Sequence, residues 1–242
     1  MKRTTLLLLS LVLITGCSDI LRPEAGDTNR KVLMEIFGYS KCSNCPEAES
    51  AADSLYREFS GRLYVLEYHY ELKEVTLRDT LSPQPETNER AEWYGFGSAF
   101  PAAIFDGRIE KIGASGNIIN TYRNFTITEL SREAPINIEI EEHSETLRVF
   151  LRFLDTLNLQ EMALFCVITE DSVFYPQEGA EDSIYNHTVR SILPDTGGYP
   201  VNESDSVYNI VYRKKPFWNE NKLMAVVFLQ NKITGEIYQT EG

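Results

Sequence analysis

The chain has 242 residues, with 36 acidic and 23 basic side chains and a formal charge of −13. It is 43% hydrophobic and 24% charged, fractions that exclude a disordered or collagen-like chain. A pI near 4.8 argues against nucleic acid as a partner, because phosphate recognition needs a basic patch. The length admits one large domain or two smaller ones, and it suffices to bury a core without disulfide staples. Four cysteines are too few for a disulfide scaffold, so each needs its own explanation.

The chain opens with Lys2 and Arg3, then an almost continuous apolar run from Leu6 to Ile14, then Thr15-Gly16-Cys17. This pattern is a secretory signal peptide, too short to span a bilayer. Ile14-Thr15-Gly16-Cys17 also looks like a bacterial lipobox, in which cleavage precedes a cysteine that becomes lipidated. A plain signal peptide cut nearby is the alternative. We expect a lipoprotein signal peptide over residues 1–16, lipidation at Cys17, and membrane attachment through that lipid anchor alone. Removal of residues 1–16 takes away Lys2 and Arg3 and leaves 36 acidic against 21 basic side chains, a charge of −15. Export places the protein where disulfides persist. Ser18 rather than Asp after the lipidated position points to the outer membrane of the cell envelope.

Residues 17–31 carry Pro, Gly, Asp and Asn without periodicity and read as a tether. Val32 to Phe37, ended by Gly38, reads as a buried strand. Cys45 to Phe59 has helical character, with Ala48, Ala51, Ala52, Leu55 and Phe59 sharing a face. Leu63 to His69 is a second strand. The polar stretch Glu71 to Asn88 reads as loop or lid, and Glu86 to Tyr94 as a short helix. Ala102 to Asp106 is a strand ending in an Asp106-Gly107 turn, Ile112 closes the sheet, and Ser115 to Arg132 is a helix. Beyond Pro135 the pattern changes. Ile136 to Glu141 and Leu147 to Phe153 alternate, and strands follow at Met162–Thr169, Tyr185–Leu193, Val207–Tyr212, Leu223–Leu229 and Glu236–Gln239. Some seven strands without a convincing helix suggest a β-sandwich over residues 134–242, after an α/β domain over residues 32–133.

Cys42-Ser43-Asn44-Cys45-Pro46 lies where a buried strand meets a helix. A helix amino terminus presents unpaired N–H groups and the positive end of the macrodipole, and both favour a thiolate. Cys42 is therefore expected to be the acidic, attacking thiol and Cys45 the deeper, resolving one. Pro46 fits an early helical position that needs no N–H partner. The order of parts resembles the thioredoxin superfamily: strand, C-x-x-C at a helix start, strand, helix, then Phe100-Pro101 before a further strand. By that resemblance Phe100 and Pro101 form a cis-proline loop that presents backbone to a bound chain. A trans proline beginning an edge strand is the alternative.

Phe37 to Pro46, Tyr94-Gly95-Phe96 and the Pro101 segment further resemble the family related to the twenty-eight-kilodalton outer membrane protein. So do Asn186 to Pro194 and the ending, with Trp218 followed by Val226 to Asn231. The resemblance covers most of residues 32–240. It implies an exported lipoprotein with a thioredoxin-like domain followed by an all-β sandwich, and no known reaction. Thioredoxin itself has Trp before the first cysteine and Gly-Pro between the two, where this chain has Lys41 and Ser43-Asn44. No His lies between the cysteines, so reductant, isomerase and mild oxidant all remain open.

Glu35, in an otherwise apolar strand, is a candidate proton relay to Cys45, since burial raises a carboxyl pKa. A Glu at a strand edge, or paired with a Lys or Arg, is the alternative. Cys166 lies in an apolar run and reads as a small packed hydrophobe. His69, His143 and His187 lack metal-ligand spacing, although His69 follows a strand and can lie near the active face. We expect no metal and no cofactor. Two functions stay open. One is thiol–disulfide exchange on exported proteins or peptides through Cys42 and Cys45. The other is a non-enzymatic envelope lipoprotein in which the pair is a structural disulfide. We prefer the first, though a thioredoxin-like fold alone does not establish an enzyme.

Overall fold

The computed structural model describes residues 29–72, 79–97, 99–176, 178–179, 184–202 and 206–242. The expected signal peptide, Cys17 and most of the expected tether lie outside the described residues.

The first half runs β1 (Val32–Gly38), α1 (Cys45–Glu58), β2 (Leu63–His69), α2 (Glu86–Trp93), β3 (Ala102–Phe105), β4 (Ile109–Ile112) and α3 (Ile118–Leu130). β1 and β2 are parallel, while β3 runs antiparallel to both β1 and β4. Both β1 and β2 are buried along their whole length, Glu35, Glu67 and His69 included, because both faces of the sheet are covered here. Alternation decides which residues meet which layer. Val32, Met34 and Ile36 pack under α1 and α3 with Ala48, Ala52, Leu55 and Tyr122. Leu33 and Phe37 face the other way, towards Ala91 of α2.

The second half runs β5 (Ile136–His143), β6 (Thr146–Phe153), β7 (Met162–Glu170), β8 (Val173–Phe174), β9 (Ile184–Tyr185), β10 (Thr188–Leu193), β11 (Tyr199–Pro200), β12 (Val207–Val211), β13 (Leu223–Asn231) and β14 (Ile237–Glu241). Its strands are not set apart from those of the first half. β10 lies parallel to β2, so one nine-stranded sheet runs β14-β13-β7-β10-β2-β1-β3-β4, with β11 beside β7. A separate three-stranded sheet, β12-β6-β5, covers one face of β7 and β13, where Ile136, Leu147 and Val149 meet Leu164, Cys166, Val227 and Leu229. The change of pattern at Pro135 thus marks a change of covering layer, helices before it and strands after it, while the sheet continues. The molecule is a mixed α/β fold.

The large sheet curls until its last strand returns to its first. The Ile237 N–H donates to the Asp106 carbonyl at 2.8 Å. Arg30, at the end of the segment read as a tether, is buried and binds Asp106 at 2.6 Å and the Ile237 carbonyl at 2.7 Å. Inside the curl, Phe37 and Tyr68 of the first half share one core with Phe165 and Phe228 of the second. Arg90 of α2 points into this core, over the rings of Phe165 and Phe228, and pairs with Glu35 through two nitrogens. The Tyr94 hydroxyl donates to the same carboxylate at 2.6 Å. The strand expected over Tyr185–Leu193 is interrupted, because His187 takes a left-handed φ of 56° that strand pairing does not accept.

Candidate functional site

The cysteine loop leaves the carboxyl end of β1 and runs directly into α1. Its backbone is closed by the Cys42 N–H donating to the Tyr39 carbonyl at 2.9 Å and the Cys45 N–H donating to the Cys42 carbonyl at 3.2 Å. Asn44 precedes the helix without a side-chain cap, and Pro46 occupies its first turn. No capping side chain therefore screens the positive end of α1, where Cys45 is the first helical residue. Cys42 and Cys45 form a disulfide across a Cα–Cα distance of 5.4 Å. Cys45 is fully buried, as expected of the deeper partner. Cys42, expected to be accessible, retains only 5% exposure.

Part of what covers the loop comes from the second half. The Glu178 N–H donates to the Ser40 carbonyl at 2.8 Å. Gly179, with φ of 83°, approaches so closely that a Cβ there would stand 2.8 Å from the Ser43 carbonyl oxygen. Gly38 is required for a similar reason on the inner side. A Cβ on it would stand 3.1 Å from the Cys45 Sγ.

Phe100-Pro101 is a cis peptide bond. Ala102 pairs with Phe37, so Pro101 sits at the carboxyl end of β1, the end from which the cysteine loop departs. The Phe100 ring lies 5.9 Å from that of Tyr39 and 5.0 Å from that of Tyr70. The prolyl loop and the cysteine loop are thus brought to one edge of the sheet.

Glu35 is not brought there. It points with Leu33 and Phe37 into the face away from α1, where Arg90 and Tyr94 hold it. The alternation of β1 sets this, since Ile36 rather than Glu35 lies under the cysteine helix. Glu35 is therefore not placed to relay a proton to Cys45, and the other reading, a Glu paired with an Arg, is the one found.

Sequence reasoning missed most of the polar cluster on the α1 side. His69, fully buried, is bracketed by Asp79 at 3.1 Å and Glu67 at 3.0 Å. Burial opposes its charge, but hydrogen bonds to the two carboxylates outweigh that and raise its pKa to about 10. Burial drives Glu67 up, whereas the bond from His69 helps to hold Asp79 down against its own burial. We read the cluster as an imidazolium paired chiefly with Asp79. The same Asp79 accepts the Ser40 N–H at 2.7 Å, which ties the cluster to the cysteine loop. Spacing gave half of the signal: Glu67 and His69, two apart on one strand, must share a face. Asp79 lies in a polar stretch with no pattern.

Cys166 is fully buried among apolar residues, and burial pushes its thiol up to about 12, so it packs as a hydrophobe. Among the described residues no group of three or more His, Cys, Asp or Glu is placed to hold a metal. None of their helices is long and apolar enough to cross a membrane.

No family model matches the chain, and no curated protein does. Among solved structures it is similar to HBP35 of Porphyromonas gingivalis, with a TM-score of 0.67 and 20% identity over 89% of this chain and 75% of that one. It is also similar to protein AGR_C_4864 from Agrobacterium tumefaciens, with a TM-score of 0.57 and 16% identity over 90% of this chain and 95% of that one. At such identities the likeness is one of fold.

Proposed function

We propose that this chain is an envelope lipoprotein of the family related to the twenty-eight-kilodalton outer membrane protein, and that it exchanges disulfides with exported proteins or peptides through Cys42 and Cys45. The observation that carries the reading is the Cys42–Cys45 pair at the uncapped amino terminus of α1, with the cis Phe100-Pro101 loop also at the carboxyl end of β1. The strand order β2-β1-β3-β4, with β1 and β2 parallel and α1 between them, supports a thioredoxin-like assignment for residues 32–133. The three-stranded sheet packed on β7 and β13 is the sandwich-like part of the second half. Lipidation at Cys17 and an outer-membrane address belong to the same proposal and rest on the lipobox alone.

In the exchange, the Cys42 thiolate attacks a disulfide of the visiting chain, and one substrate sulfur leaves as a thiol. Cys45 then attacks Cys42, closing the internal disulfide and releasing the second substrate thiol. Two electrons pass to the substrate, and the reverse sequence oxidises it. The test replaces Cys45 with Ser and isolates partners from the native envelope under non-reducing conditions. Mixed disulfides through Cys42 support the reading, and their absence together with inertness towards a model disulfide removes it.

A specific observation favours a second reading. Cys42 is 5% exposed and residues 178–179 lie against its loop, as befits a structural disulfide in a binding lipoprotein. The trapping experiment separates the two.

A further inference from the structure

β1 and β2 pair in register, Ile36 with Glu67 and Gly38 with His69. Residues paired across neighbouring strands send their side chains to the same face. Ile36 lies under α1, so Glu67 and His69 do as well. At the level of His69 the neighbouring strand carries Gly38, and the space its missing side chain leaves is taken by two groups from α1. The Cys45 Sγ lies 3.1 Å, and the Glu49 Oε1 3.6 Å, from where a Gly38 Cβ would stand. Cys45 and Glu49 are four apart on one helix and therefore stacked on one face. Tyr185 of β9 closes the pocket, its ring 4.6 Å from that of His69. Burial, then the charges of Glu49, Glu67, Asp79 and Tyr175, push the Tyr185 phenol up.

We infer that Glu49 is the acid–base residue for Cys45, and that His69, clamped between Glu67 and Asp79, is the positioning residue that fixes the charge beside it. This rests on the exchange reading above. When the mixed disulfide resolves, the Cys45 thiol gives its proton to the Glu49 carboxylate. The thiolate so formed bonds to the Cys42 sulfur, and the substrate sulfur departs as a thiolate that is protonated by water. In the reverse direction Glu49 returns the proton to Cys45. Among the described residues, the titratable groups around this site are Glu49 and Asp53 from α1, Glu67 and His69 from β2, Asp79 from the segment after it, Tyr175, Tyr185 from β9, and His187 ahead of β10. His187 contacts Asp53 at 3.4 Å.

The test is stopped-flow reaction of the reduced full chain with Ellman's reagent across the neutral pH range. The chain carries Cys17→Ser so that this thiol does not report. Release of the first thionitrobenzoate marks attack by Cys42, and release of the second marks resolution by Cys45. We expect Glu49→Gln to leave the first phase intact and to slow the second at least ~10-fold near neutral pH, with loss of its pH-dependent limb. Glu49→Asp recovers part of the rate, and His69→Gln displaces the midpoint of the second-phase profile. If His69→Gln does not fold, the Glu49 pair of variants decides. A normal second phase in Glu49→Gln overturns the inference, as does a shifted profile in Glu35→Gln instead. Absence of any first phase in the parent chain overturns the exchange reading itself.

Discussion

Replacing His69 by Gln removes a group expected to make stability fall through the neutral and mildly alkaline range. The folded pKa of His69 is about 10 against an ordinary 6.5. Because the folded value is the higher one, its stabilisation is complete below the unfolded pKa and is lost as pH rises towards the folded value. Integrated from about pH 6.5 to about pH 9.5, that linkage amounts to a loss on the order of 3 kcal/mol. The group is fully buried, so solvent screening takes little from it. Asp106, raised by burial to about 6, exerts its pH dependence below this window. The buried tyrosines, held up by burial, titrate above it. Urea unfolding at several pH values and constant ionic strength is the assay. The wild-type midpoint is expected to fall across the window, whereas the His69→Gln midpoint starts lower and stays nearly level. Parallel curves for the two proteins, or a level wild-type curve, refute an imidazolium held between Glu67 and Asp79.

Arg90→Met leaves the Glu35 carboxylate buried without its charged partner and is expected to cost about 3–5 kcal/mol in urea unfolding. Adding Glu35→Leu to it should recover much of that loss. Gly179→Ala places a methyl group 2.8 Å from the Ser43 carbonyl oxygen at a positive φ, so residues 178–179 must shift. Reduction of the Cys42–Cys45 disulfide by dithiothreitol should then be several-fold faster, read by mass spectrometry after quenching with an alkylating agent. Cys166 should resist maleimide labelling in the folded protein and react fully in denaturant, as a buried thiol held near 12 requires.

Local pattern placed the elements around the site. The apolar run Val32–Phe37, the helical spacing of Ala48, Ala51, Ala52 and Leu55, and the C-x-x-C between them are contiguous signals, and β1 and α1 form where they predict. The short helix before Phe96 and the turn at Asp106-Gly107 follow from equally local chemistry. What sequence did not show depends on distant pairing. Nothing in Thr188 says that its strand will lie beside Glu67 and carry the sheet across the two halves. The partner of Glu35 is Arg90, 55 residues away on α2, and only the alternation of β1 decides that this carboxylate turns from the cysteines. Asp79 gains its role from meeting His69 and Ser40 in space. The two-residue strands β8, β9 and β11 are too short to show a period.

The reduction potential of the Cys42–Cys45 pair, measured by equilibrating the protein in glutathione or dithiothreitol buffers, tests the exchange role most directly. A thiol pair that turns over should fall among the disulfide-exchange proteins, roughly −270 to −120 mV. A value below about −300 mV is that of a structural disulfide and contradicts the account.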